Sequence, residues 1–334
     1  MLLGRLADVG LGLREQASLA ALTEDVVKTS AIEGEMLNAQ SVRSSIARRL
    51  GVDIGAVAAF DRNIEGIVEM VLDATSNSSA PVTAERLFGW HAALFPNGYS
   101  GMSRITVAQW RNDERGPIQV VSGPIGRQMI HFEAPPADRL IVETAAFIDW
   151  ANADTGEPDV VKAGIAHLWF VTLHPFDDGN GRIARAVGDL FLARSDGSSE
   201  LRFYSLSAQI QRERTGYYAM LEQTQRRGTD VTELLVWFLA ALGRAIETAQ
   251  SNVDAVLAKA HFWQRWNGAS LNERQVELIN RLLDGIEGKL TSSMWAATAK
   301  CSQDMALRDI TALLDLGLLI KSPARGRSTG YELS

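Results

Sequence analysis

Twelve residues restrict this chain more than any others: His174-Pro175-Phe176-Asp177-Asp178-Gly179-Asn180-Gly181-Arg182-Ile183-Ala184-Arg185. The apolar run 160–174 reads as a buried helix that ends in this stretch, and a second helix reads over 182–194. Gly179-Asn180-Gly181 sits between them, where glycines let backbone N–H groups converge at a helix N-terminus. That arrangement is a nest for anions, phosphates above all. Arg182 and Arg185 are three residues apart, so they share a helix face and can grip successive phosphates. Asp178 is placed to hold a Mg²⁺ that bridges phosphate oxygens. His174 is the one group in the stretch suited to take a proton near neutral pH.

Each piece alone has an ordinary structural reading: a packed histidine, a turn, a solvated helix face. Base, carboxylate, anion cradle and clamp in this order make a purely structural reading hard to sustain.

The rest of the chain must supply a helical setting. Apolar spacing predicts helices over 13–34, 40–50, 55–75, 137–151, 205–225 and from 229 to 252 or beyond, with Thr83 capping one that runs to Leu94. Alternating residues at 118–122 and 127–132 around Gly123-Pro124-Ile125-Gly126 predict a β-hairpin, the one clear strand pair in the first 260 residues. Beyond Trp266-Asn267-Gly268 the order is helix, short helix, turn, helix, then two short strands with a Gly/Arg tip. That is the pattern of a winged helix-turn-helix. The expected fold is mainly α, divided into an N-terminal helical region (1–100), a core with flap and motif (101–266) and a winged-helix domain (267–334).

Composition narrows the function classes. Lys and Arg number 33 against 40 Asp and Glu, a net charge of −7 that argues against nucleic-acid binding through bulk basicity. Residues 268–334 hold eight Lys/Arg and eight Asp/Glu, so the tail is neutral. Protein docking or a homodimer ranks above DNA binding for it. The single cysteine, Cys301, fits a reducing compartment. Residues 1–8 lack a basic segment followed by an apolar run, and no apolar stretch reaches ~18 residues. The expectation is a cytoplasmic protein with no membrane contact.

The stretch His-Pro-Phe-x-Asp-Gly-Asn-Gly-Arg-x-x-Arg, matched at His174, Phe176, Asp178, Gly179, Asn180, Gly181, Arg182 and Arg185, resembles the signature of Fic family protein adenylyltransferases. The resemblance implies that His174 deprotonates a Ser, Thr or Tyr hydroxyl of a target protein or of the enzyme itself. The oxygen then attacks the α-phosphate of ATP, with Mg²⁺ on Asp178 and pyrophosphate leaving. Gly181 is implied to select this reaction, since phosphorylating relatives carry a bulkier residue there. Phe176 would anchor the loop. The hairpin would be a flap that pairs with the target backbone and brings His131 to the site, and Tyr217, Tyr218 and Gln225 become candidates for the adenine pocket.

Far upstream, Glu33 ends its helix at the pole where the macrodipole disfavours a carboxylate by about 0.3–1 kcal/mol. A cationic partner from elsewhere would explain it. Thr29, Glu33 and Gly34 also match the Fic inhibitory motif, which implies that Glu33 pairs with Arg185 and autoinhibits the enzyme. Further phrases, Asp61-Arg62-Asn63-Ile64-Glu65-Gly66, Gln109-Trp110-Arg111 and Tyr204-Ser205-Leu206-Ser207-Ala208-Gln209-Ile210, look like the large bacterial members. Two alternatives stand beside adenylylation: a transcription regulator whose core only senses nucleotide, and removal of AMP by the same site.

Overall fold

A computed structural model describes residues 11–54, 60–114, 116–122, 127, 129–197, 202–283, 285–286, 289–322 and 329–334. The chain divides into two compact units, Met1–Ala249 and Gln250–Ser334. The first opens with α1 (Leu11–Ile32), α2 (Ala39–Leu50), α3 (Arg62–Ser76) and α4 (Ala84–Leu94). Two antiparallel strand pairs follow: β1 (Tyr99–Ser100) with β2 (Ser103–Arg104), and β3 (Gln119–Ser122) with β4 (Met129–Glu133). Helices α5 (Ala137–Asn152), α6 (Asp159–Leu173), α7 (Asn180–Ser195), α8 (Leu206–Arg212) and α9 (Arg214–Arg226) complete it, with the first part of α10 (Thr232–Arg265).

The helices start where their caps dictate. Asn38 accepts from the N–H groups of Gln40 and Ser41, Asp61 from Asn63, Thr83 from Arg86 and Ser205 from Ala208. Helix α7 is the centre of the unit: every residue from Arg182 to Ala193 is buried, and α1, α3, α4 and α6 pack around it. A helix buried on all sides should be apolar throughout. Here Arg182, Arg185 and Asp189 interrupt the pattern, and each needs a partner to offset its desolvation. Asp189 pairs with Arg202 at 2.7 Å, while burial still pushes its carboxyl up to about 7.

Helix α1 is pinned to α8 by Asp25, whose carboxylate accepts from Ser205 Oγ at 2.6 Å and from the Ser207 N–H at 3.3 Å. The α3–α4 crossing is closer still. A Cβ added to Gly66 would lie 1.8 Å from the Ala93 carbonyl oxygen, so the two backbones touch there.

Three expectations change. The helix read over 205–225 is two helices, parted at Glu213, which leaves helical geometry and binds Arg244 of α10 through both carboxylate oxygens at 2.7 and 2.6 Å. The β1–β2 pair is additional; two residues a side around Gly101-Met102 are too short to show alternation. The helix carrying both arginines begins at Asn180, because Gly179 takes the left-handed conformation (φ 80°) of its N-cap. Residues 55–59, the hairpin tip at 123–126 and the Gly/Arg tip at 323–327 lie outside the described residues.

The second unit contains α11 (Glu273–Leu283), α12 (Ser292–Thr298), α13 (Gln303–Asp315) and the antiparallel pair β5 (Leu319–Lys321) and β6 (Tyr331–Leu333). Leu278, Ile279, Trp295, Ile310, Leu313 and Leu318 form its core. Among the described residues no helix is long and apolar enough to cross a membrane.

Candidate active site

The loop between α6 and α7 is held by its own side chains. Asn180 Oδ1 accepts from the Phe176 N–H at 2.9 Å and its Nδ2 donates to the Phe176 carbonyl at 2.8 Å, closing a buried ring. Phe176 is fully buried. The His91 ring stacks on it at 4.1 Å between centroids, with the planes 6° apart. The Ala108 N–H donates to His91 Nδ1 (3.2 Å), so Nε2 carries the proton and donates to the Asp178 carbonyl, also at 3.2 Å. Burial pushes the His91 pKa down to about 4, which keeps this one tautomer at neutral pH.

His174 caps α6 in the left-handed conformation, φ 48° and ψ 54°. For a residue with a Cβ that costs about 1–2 kcal/mol, and the surroundings must impose it. Its Nδ1 lies 3.2 Å from the Val171 carbonyl. A carbonyl can only accept, so Nδ1 carries the hydrogen and Nε2 keeps its lone pair. Burial holds the ring pKa below its usual value, assisted by the Arg111 charge and opposed by Asp178 and Glu33. A neutral imidazole with an open Nε2 is the form a general base requires.

Gly179, at φ 80°, turns the chain into α7. The N–H groups of Asn180, Gly181 and Arg182 open that helix and have no intrahelical acceptor. Arg185 is buried beneath them. Its Nε donates to Thr29 Oγ1 (2.7 Å), and its Nη2 donates to the Thr29 carbonyl (2.9 Å) and to Glu33 Oε1 (2.6 Å). Burial alone would lower the Arg185 pKa; the charge and hydrogen bond of Glu33, together with Tyr217 and Tyr218, outweigh it, and the net direction is up. A Cβ on Gly181 would lie 2.3 Å from Glu33 Oε1. The carboxylate thus stands against the helix opening, and a Cβ at Gly181 would force it to shift.

Glu33 reaches this position through a Schellman turn. Gly34, at φ 86°, lets its N–H reach the Ala31 carbonyl (3.1 Å) while the Glu35 N–H reaches that of Ser30 (3.0 Å). The same turn sends a second carboxylate toward α7: Glu35 Oε2 accepts from Arg182 Nη1 at 3.0 Å. Both arginines of the motif are therefore held by the connector after α1. Glu35 had no motif to reveal it. Even so, Arg182 Nε and Arg185 Nη1 are buried without an acceptor. An unpaired buried donor costs about 1–3 kcal/mol, which an anionic ligand would relieve.

Asp178 accepts from the Gly179 N–H (2.5 Å) and from Ser100 Oγ of β1, and Asp177 accepts from the Thr106 N–H at 2.8 Å. The two aspartates border a cavity of about 290 Å³ with Ser100, Ser103, Thr106 and Ile118. Among the described residues no three or more His, Cys, Asp or Glu gather as a metal cage. A single carboxylate is a fitting protein ligand for Mg²⁺, which takes its other ligands from phosphate and water. Asp178 fits that donor set.

The other expected residues have definite places. Asn180 spends its side chain on Phe176, leaving only its N–H for an anion. His131 Nδ1 lies 2.8 Å from Glu222 of α9, and Arg226 of the same helix donates to the His131 carbonyl (3.2 Å) and the Ile130 carbonyl (3.1 Å). The ring is thus committed to α9. Tyr217 is buried with its hydroxyl 2.8 Å from His167 Nε2, and Gln225 Nε2 donates to Thr172 Oγ1 at 3.1 Å. Tyr218 stays partly exposed, with the Arg214 guanidinium 5.2 Å from its ring centroid.

Residues 81–192, which carry the loop, its arginines and the hairpin but neither α1 with its connector nor α9, match the Fic/DOC family model. The chain carries a Fic/DOC domain. Residues 1–52 match a second model, a domain of unknown function (DUF4172). Over 84 residues, a quarter of its length, the chain is 32% identical to protein adenylyltransferase fic-1 of Caenorhabditis briggsae. Over 132 residues, 36% of the chain, it is 30% identical to a uridine 5'-monophosphate transferase of Xanthomonas campestris pv. campestris. The matches span only 16% and 22% of those relatives' lengths. In fold it resembles a Fic family protein from Desulfovibrio desulfuricans G20, with a TM-score of 0.54, 20% identity, and coverage of all of this chain and 92% of that one.

Proposed function

We propose that this protein transfers AMP from ATP to a Ser, Thr or Tyr hydroxyl of a target protein, and of itself, and that the conformation described is its inhibited form. Arg185 carries the reading. A guanidinium buried beneath an anion-binding helix start is held by Thr29 and Glu33 and still keeps one unpaired nitrogen. That is the pattern of a phosphate clamp with a carboxylate standing in the phosphate's place.

In the active form the connector withdraws, and Arg185 and Arg182 turn to the phosphates of ATP. His174 Nε2 takes the target's hydroxyl proton, the oxygen bonds to the α-phosphorus, and the bond to pyrophosphate breaks. The N–H groups of residues 180–182 stabilise charge developing on the phosphoryl oxygens. A divalent ion held by Asp178 would neutralise phosphate charge when bound. The β3–β4 hairpin would receive the target as an added strand.

Labelled ATP incorporation by the wild type, Glu33→Gly and His174→Ala tests this. Glu33→Gly is expected to raise incorporation by about 5–150-fold, the range of a coupling of 1–3 kcal/mol. His174→Ala should abolish it. An unchanged rate in the first, or surviving label in the second, would sink the proposal. Similarity to a uridine 5'-monophosphate transferase makes labelled UTP the necessary competitor.

A further inference from the structure

Arg111 lies outside the motif, yet its side chain hydrogen-bonds the backbone of His174 directly. Its side chain is fully buried. Nε donates to the His174 carbonyl at 2.8 Å, and its main-chain N–H donates to the Pro175 carbonyl at 2.9 Å. In the other direction Nη2 donates to the Pro135 carbonyl (2.5 Å), just past the end of β4. Nη1 donates to Asp113 Oδ1 (2.6 Å), while Asp113 Oδ2 accepts from the N–H of Ala137, the first residue of α5 (2.6 Å). One guanidinium thus ties the strained turn at His174 to the root of the hairpin. A planar fork can hold two carbonyls and a carboxylate in fixed directions at once; an ammonium cannot.

We propose that Arg111 is a positioning residue for the transfer reaction, fixing His174 and the strand that receives the target in one rigid frame. This rests on the adenylylation reading. The alternative is a packing role, with Arg111 stabilising the fold and nothing more. The two differ in what happens in molecules that still fold and bind nucleotide. A packing role removes active molecules; a positioning role slows each one.

The test uses the full chain carrying Glu33→Gly as parent, with Arg111→Lys and Arg111→Gln added. Bound ATP per chain counts the intact sites. Turnover per intact site is expected to fall about tenfold or more in both variants while the KM for ATP stays within about twofold. The second readout is the His174 ring titration by NMR, which needs no turnover. In the parent the charged groups facing the ring are Arg111 and Asp178, Glu33 having been removed. Loss of the Arg111 charge in Arg111→Gln should move the titration up, and the acid limb of the pH–rate profile with it. Arg111→Lys keeps a positive charge and should move it less. Should the Arg111 variants fail to fold, Asp113→Asn weakens the same anchor and should act in the same direction, more mildly. Turnover per intact site within about threefold of the parent, or a ring titration unmoved in Arg111→Gln, would overturn the inference. A parent that incorporates no label would overturn the adenylylation reading instead, and the ring titration would still decide the place of Arg111.

Discussion

The loop at 174–185 and the hairpin at 119–133, whose root Arg111 ties to that loop, are built in opposite ways. In the loop Phe176, Gly179, Asn180, Arg182 and Arg185 are buried, and Asn180 and His91 fix its backbone. In the hairpin Val120, Val121, Met129 and Ile130 are exposed, so apolar side chains meet solvent on both faces. The pairing slips between Val120 and Val121, and a two-stranded ribbon alone is only marginally stable. Its inner strand is held from outside by Arg226 and Glu222 of α9. A group that must meet a phosphate within tenths of an ångström is set by buried hydrogen bonds. On the proposed function, the surface that receives the target's backbone is the one left apolar and open.

The sharpest way to break this contrast is to loosen the loop. Asn180→Ala leaves the Phe176 N–H and carbonyl buried without partners, at a cost of about 2–5 kcal/mol and roughly 5–15 °C in Tm. Calorimetry checks it; a fall under about 1 °C would mean the loop is held elsewhere. The connector comes next. Glu35 is partly exposed, so its pairing with Arg182 is worth less than that of Glu33 with buried Arg185. Glu35→Ala should lower the KM for ATP by less than about fivefold and raise turnover far less than Glu33→Gly. An effect equal to that of Glu33→Gly would make the two carboxylates one latch. On the hairpin, Val121→Ser and Met129→Ser should change stability by no more than about 0.5 kcal/mol while raising the KM for a protein target. A large loss of stability would show that these side chains pack rather than wait.

Much of this was legible in the sequence, for reasons that differ by element. Apolar period and caps at Thr83, Asn38 and Asp61 are local signals, and the helices they announce begin there. Glu33 was legible as an acid at the wrong pole of a helix, and the ion pair to Arg185 resolves that conflict. Glu35 and Arg111 were not legible as site residues. Each acts through a partner 147 or 63 positions away in the chain, and neither breaks a local rule. Asn180 looked like a phosphate ligand because its type and place suit one; only the fold shows its side chain closing the loop on Phe176. The break at Glu213 was hidden too, since it depends on Arg244 from another helix.

A pH titration is the most direct probe of how dry the loop side is. Burial pushes both His91 and His167 down to about 4. His91 Nδ1 already accepts from the Ala108 N–H, so a second ring proton there would displace an existing bond, while at His167 burial and the Arg185 charge oppose a second proton. In NMR titrations neither ring should shift between pH 8 and about 5, whereas an exposed imidazole passes its midpoint near 6.5. The sign for stability follows. As pH falls through about 6.5 the unfolded chain takes up protons that the folded chain refuses, so the stability present at neutral pH declines toward pH 4, by roughly 3 kcal/mol per ring. A His91 midpoint near 6.5 would mean that water reaches the stack on Phe176, and the loop would then be no more sealed than the hairpin beside it.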